Sequence, residues 1–152
     1  MALIKKINFK FWIIAFLVFM IDWFTKILVK NNIPLGSSAS VLPFFSVSHI
    51  TNTGTAFGFL KNFQWFFIIF SVAVIVFIIL KHKSFDKFTQ IVLAFILGGA
   101  FGNLFDRLVY GAVIDFFDFK FWPAFNVADC IITVSVIVII FREFTNKKIR
   151  KI

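Results

Sequence analysis

Seven acidic residues occur in this chain of 152, and five of them lie within or beside long apolar segments: Asp22, Asp106, Asp115, Asp118 and Asp129. Carboxylates are costly in hydrocarbon, so ionisable groups kept there usually have a task. Two carboxyls that share one proton make a water-activating pair, one ionised and the other protonated. The rest of the sequence offers little rival chemistry. His49 and His82 are expected on opposite sides of a membrane, which disfavours a paired-His metal site or a His-containing triad. His49 reads as a strand-surface residue and His82 as part of a basic loop. Cys130 has no His beside it and reads as a small helix-packing residue. No motif sets a Ser near Lys26 or Lys120. Neither a metal nor an organic cofactor is expected.

The elements that position these acids follow from composition. The chain is 61% hydrophobic and 15% charged, with 26 Phe and a mean hydropathy of +0.97. A soluble domain would be nearer half apolar and a quarter charged. The net charge of +9 might suggest nucleic acid, but 11 of the 16 basic residues fall in three short stretches beside apolar runs. Lys5, Lys6 and Lys10 form the first, Lys81, Lys83 and Lys87 the second, and Arg142, Lys147, Lys148, Arg150 and Lys151 the third. That pattern signals topology and attraction to anionic phospholipid; no nucleic-acid-binding motif accompanies it. A single cysteine allows no intramolecular disulfide. The first apolar run has basic flanks and no small-residue cleavage site, so it reads as a retained span.

The sequence predicts a single-domain, mainly α membrane protein, residues 1–152, with transmembrane helices over about 11–29, 63–80, 88–109 and 127–144. Four spans put both termini on one side, and the positive-inside rule makes that side the cytoplasm. Loops 30–62 and 110–126 then face outward. The outer ends of spans 1, 3 and 4 carry Asp22, Asp106 and Asp129. The segment Val41–Ile50 is rich in β-branched and aromatic residues and reads as one or two short strands. It predicts a small β-rich extracytoplasmic loop domain that covers a site beneath it.

Four motifs carry the polar groups. In Gly98-Gly-Ala-Phe-Gly-Asn-Leu-Phe-Asp-Arg107, small residues allow close helix approach, and Asn103 and Asp106 share a face. The plainer account is a packing patch with a snorkelling Arg107. In Asn126-Val-Ala-Asp129, Asn126 can simply cap a helix, and an acid in a first turn is favoured by the helix dipole. Val113-Ile-Asp-Phe-Phe-Asp-Phe119 offers Asp115 and Asp118, which an extended backbone points to opposite sides. One of the two then reads as pointing into the site and the other as a solvated loop acid. Asn52-Thr-Gly-Thr-Ala-Phe57 suits a tight turn, with Asn52 and Gly54 at its bend, or an ordinary loop. A proton- or ion-coupled transporter subunit and a purely structural subunit are the rival readings. The first would favour acids near mid-membrane and an inverted repeat, and no repeat is visible.

These motifs, with Asp22…Thr25-Lys26 before them and Gly111-Ala-Val-Ile-Asp-Phe116 and Phe125-Asn-Val-Ala-Asp-Cys130 after, resemble the lipoprotein signal peptidase (signal peptidase II) family in order and along nearly the whole chain. The resemblance implies an intramembrane aspartyl endopeptidase of the bacterial inner membrane with its active site near the outer face. It implies a catalytic pair of Asp115 and Asp129, and a supporting or substrate-binding set of Asp22, Lys26, Asn52, Gly54, Asn103, Asp106, Arg107 and Asn126. The implied substrate is a prolipoprotein carrying a diacylglyceryl group, cut just before the lipidated Cys. The expected surroundings are phospholipid and no nucleic acid, with a monomer as the simplest state.

Overall fold

A computed structural model describes residues 9–54 and 64–149. The chain is mainly helical, with a small sheet: α1 (Phe9–Asn32), β1 (Ser38–Leu42), β2 (Phe45–Asn52), α2 (Gln64–Lys81), a short 3-10 turn (His82–Ser84), α3 (Lys87–Val109), β3 (Val113–Phe119) and α4 (Val127–Ile149). Three of these helical stretches, Phe9–Asn32, Gln64–Ser84 and Lys87–Val109, are long and apolar enough to cross a membrane. The fourth helix matches them in length, but Asp129, Arg142 and Glu143 interrupt its apolar run.

α3 is the central element and packs against α1, α2 and α4. Its glycines explain how it can. A Cβ on Gly98 would collide with the Ala15 carbonyl of α1, and one on Gly99 would stand 2.9 Å from Ile132 Cγ1 of α4. The close helix approach expected from this motif is therefore present on two faces of α3. Phe11, Ala15, Ile68, Ile75, Leu93, Leu97 and Leu104 build the interior between α1, α2 and α3. Large apolar side chains such as Phe16, Phe24, Ile69, Phe70, Leu80 and Ile137 are exposed instead, as lipid-facing helices require.

The three strands form an antiparallel sheet in the order β1-β2-β3. β1 and β2 realise the strands expected between 41 and 50. β3 spans Val113–Phe119, the segment expected to be extended. A left-handed Gly111 (φ 74°) turns the chain from α3 into β3. That turn lays Asp115 over the end of α3, where the Ile114 amide donates to Asp106 Oδ2 at 3.2 Å.

The surface reading of His49 needs correction. His49 is buried in β2, with Nδ1 2.8 Å from the Ile33 carbonyl, because β2 folds back over the end of α1. His82 does lie in the short basic turn between α2 and α3, and it is buried there, stacked on Phe11 at 4.1 Å between ring centres.

Candidate active site

Asp22 lies well inside α1, which runs on to Asn32, and is fully buried there. It survives there because Lys26, one turn later, is buried beside it. Lys26 Nζ lies 2.7 Å from Asp22 Oδ2 and 2.9 Å from Asp106 Oδ2, and donates to Asn103 Oδ1 at 3.0 Å. The other Asp22 oxygen accepts the Ala128 amide at 2.8 Å, so α1 caps the first turn of α4. Gly102 makes room for this carboxylate; a Cβ there would collide with Asp22 Oδ2.

Asn103 and Asn126 connect this ion cluster to the remaining acids. Asn103 Nδ2 donates to Asp129 Oδ1 at 2.8 Å. Asn126 Nδ2 donates to Asn103 Oδ1 at 3.2 Å and to Asp115 Oδ1 at 2.7 Å. Asn126 and Asp129 also cap α4 reciprocally: the Asp129 amide donates to Asn126 Oδ1 at 3.0 Å, and the Asn126 amide to Asp129 Oδ2 at 3.3 Å. Capping and site-building are thus one arrangement, not alternatives.

Asn52 completes the setting from β2. Asp115 faces Ile50 across the sheet, so Asn52 is its diagonal neighbour on the same face. Its Nδ2 donates to Asp115 Oδ2 at 2.9 Å, and its Oδ1 accepts the Gly54 amide at 3.0 Å. Both Asp115 oxygens are therefore occupied by amide donors. Burial, and next the charge of Asp129, still push the Asp115 carboxyl up to about 7, while the bonds from Asn52 and Asn126 pull the other way.

A cavity of about 560 Å³ opens onto both carboxyls, lined by Asn52, Gly54, Asn103, Arg107, Asp115 and Asp129. Trp122, Pro123, Ala124 and Phe125 form a wall, and Cys130, Thr133 and Val134 of α4 form another. Phe125 is held to β3, donating to the Phe117 carbonyl at 3.1 Å. Arg107 donates to the Asn103 carbonyl at 3.2 Å and stands 5.3 Å from the Phe67 ring centre. Its Nε has no partner among the described residues. Asp118 turns away and accepts the Ser48 hydroxyl at 2.7 Å, so it is a half-buried strand residue rather than a solvated loop acid. Among the described residues no group of His, Cys, Asp and Glu could hold a metal ion.

Residues 14–145 match the family described as signal peptidase (SPase) II. Lipoprotein signal peptidases are similar along most of the chain. That of Alteromonas mediterranea is 40% identical, covering 96% of this chain and 86% of its own. That of Burkholderia mallei is 39% identical, covering 86% and 84%. The chain belongs to the signal peptidase II family. It is a membrane peptidase that removes signal peptides from prolipoproteins. A bacterial membrane enzyme solved by the in meso method at 2.3 Å is similar in structure, with a TM-score of 0.82, 29% identity and 89% of this chain covered against 87% of that one. A second, at 1.9 Å, gives 0.76 and 30%, over 86% and 89%.

In this signal peptidase II chain the structure gathers Asp22, Lys26, Asn52, Asn103, Asp106, Asp115, Asn126 and Asp129 into one connected network, with Gly54 and Arg107 on the cavity wall. Sequence reasoning missed the walls. Gln64 holds the Arg107 carbonyl at 3.0 Å, and Thr133, Val134 and Trp122–Phe125 line the cavity. One turn beyond Asp129, Thr133 was findable from helical spacing; Gln64 carried no signal. Thr55, Ala56 and Phe57 of the Asn52 motif lie outside the described residues.

Proposed function

We propose that Asp115 and Asp129 are the catalytic pair of an aspartyl endopeptidase acting on diacylglyceryl-modified prolipoproteins, with the cut just before the lipidated Cys. The supporting observation is that both carboxyls line one cavity and are tied together through Asn126 and Asn103. With its pKa pushed up to about 7, Asp115 is the natural proton carrier. Asp129 then takes a proton from water, whose oxygen attacks the scissile carbonyl, and Asp115 gives its proton to the carbonyl oxygen. In collapse, Asp129 passes its proton to the leaving nitrogen, and Asp115 recovers one from the tetrahedral intermediate. Asn52 and Asn126 keep Asp115 oriented, and the unpartnered Nε of Arg107 offers a donor for a substrate carbonyl.

The same reading has α4 as a fourth span, both termini in the cytoplasm, and the sheet and cavity at the outer face of the inner membrane. Basic residues cluster at the opposite ends of the helices: Lys81, Lys83, Lys87 and Arg142. A monomer in phospholipid suffices, since every residue of the network comes from one chain. Processing of a lipid-modified precursor by Asp115→Asn and Asp129→Asn, at matched expression, tests the pair: both lose activity on the order of 10³-fold or more. Near-normal processing by both would refute it.

A further inference from the structure

Among the described residues, α2 gives no side chain to the acid network and none to the lining of the catalytic cavity. Its first two turns nevertheless meet the site at one place. Trp65, Phe66, Ile69 and Phe70 are exposed toward lipid, whereas Gln64, Phe67 and Ile68 are covered and share the opposite face at helical spacing. Ile68 enters the core beside α3, and Gln64 and Phe67 both reach Arg107. The Gln64 side-chain amide donates to the Arg107 carbonyl at 3.0 Å. That carbonyl belongs to the last turn of α3, whose acceptors find no partner within the helix. The Phe67 ring lies against the guanidinium, its centre 5.3 Å from Cζ and within cation–π reach.

The charges of Asp129, Asp115 and Asp106 all act on the Arg107 guanidinium, yet among the described residues it forms no ion pair. Its place is set instead by Nη1, which donates to the Asn103 carbonyl at 3.2 Å, and by Phe67 on one face of the plane. Nε stays buried without a partner. Asn103 also holds Asp129 through its side chain, so one residue sets the guanidinium and the carboxyl relative to each other. A lysine could not stand in here, because it lacks a planar group that bonds, stacks and keeps a further donor free.

We propose that Phe67 and Gln64 are positioning residues of the peptidase: through them α2 holds the Arg107 guanidinium so that its Nε meets a substrate carbonyl. The proposal rests on the reading above that gives Arg107 that role. A bond of this kind is made alike in the ground and transition states, so its loss falls on KM.

The experiment measures cleavage of a lipid-modified precursor in detergent. Phe67→Leu keeps apolar bulk but not the ring face, and raises KM about tenfold with kcat within about twofold. Phe67→Tyr keeps the face and stays within about twofold on both constants. Gln64→Leu raises KM about threefold. Phe70→Leu, on the lipid side of α2, changes neither constant. Added to Arg107→Gln, Phe67→Leu or Gln64→Leu leaves KM within about twofold of Arg107→Gln alone. Equal losses in Phe67→Leu and Phe67→Tyr, or losses that multiply with that of Arg107→Gln, overturn the proposal. Independently of activity, phenylglyoxal modification of Arg107, followed by mass spectrometry of the digest, is about threefold faster in Phe67→Leu and unchanged in Phe67→Tyr. Equal rates in both variants and the unsubstituted protein also overturn it. An unaltered KM in Arg107→Gln, with the labelling difference intact, would instead overturn the role given to Arg107 while upholding its placement by α2.

Discussion

The two ends of the α3–α4 pair use the same chemistry to opposite effect. At one end Lys26 serves Asp22, Asp106 and Asn103, with Lys26, Asp22 and Asp106 buried almost completely. At the other, Arg142 Nη1 meets both oxygens of Asp86 at 2.8 and 3.0 Å and the Thr89 hydroxyl at 2.8 Å, with the side chains 34% and 53% exposed. Asp86 also caps α3 by accepting from the Phe88 and Thr89 amides. The Thr89 hydroxyl first, and then Arg142, hold its carboxyl below the ordinary range. The exposed pair fastens two helices and can be exchanged with water. The buried cluster cannot: each charge there depends on the others, and through Asn103 and Asn126 that dependence extends to the Asp115 and Asp129 carboxyls.

The sharpest way to break the contrast is Lys26→Met. It leaves Asp22 and Asp106 buried without their shared cation and costs about 3–5 kcal/mol, read as a fall in melting temperature in detergent. Next is pH. A carboxyl raised from 3.8 to about 7 is protonated in both states below about pH 4. Between about 4 and 7 the unfolded chain releases a proton that the folded one keeps, so stability falls as pH rises, by at most on the order of 4 kcal/mol. Above about 7 that loss is complete. Melting curves of Asp115→Asn lack this slope. Gly102→Ala drives a methyl into the Asp22 carboxylate and costs about 1–3 kcal/mol, with processing reduced in parallel. At the exposed end Arg142→Gln leaves processing unchanged and moves the melting temperature slightly; a large loss of processing there would erase the distinction between the ends.

What the sequence revealed divides along the same physical line. Helix lengths, the strands after α1, the close packing at Gly98 and Gly99, and the shared face of Asn103 and Asp106 are local periodicities, and they were readable. The convergence of Asp22, Asp106 and Asp129 followed from topology. The depth of Asp22 was not readable, because the Lys26 that pairs with it is itself held by Asp106 and Asn103, 80 and 77 residues further along the chain. The burial of His49 and His82 depends on tertiary contacts to Ile33 and Phe11 that leave no local mark. Asp118 differs from Asp115 through strand side and the partner Ser48; the alternation was legible, the partner was not. The cavity walls from Trp122 to Phe125 depend on a loop folding back onto β3, for which the sequence gives no spacing rule.

The central claim is the choice of Asp115, rather than Asp118, as partner to Asp129. Its most direct test is the cleavage rate of a lipid-modified precursor by purified Asp115→Asn, Asp118→Asn and Asp129→Asn, each checked for an unchanged melting profile near pH 4. The structure predicts that the first and third fall on the order of 10³-fold or more while Asp118→Asn stays within about threefold of the unsubstituted enzyme. An inactive Asp118→Asn beside an active Asp115→Asn would contradict the account.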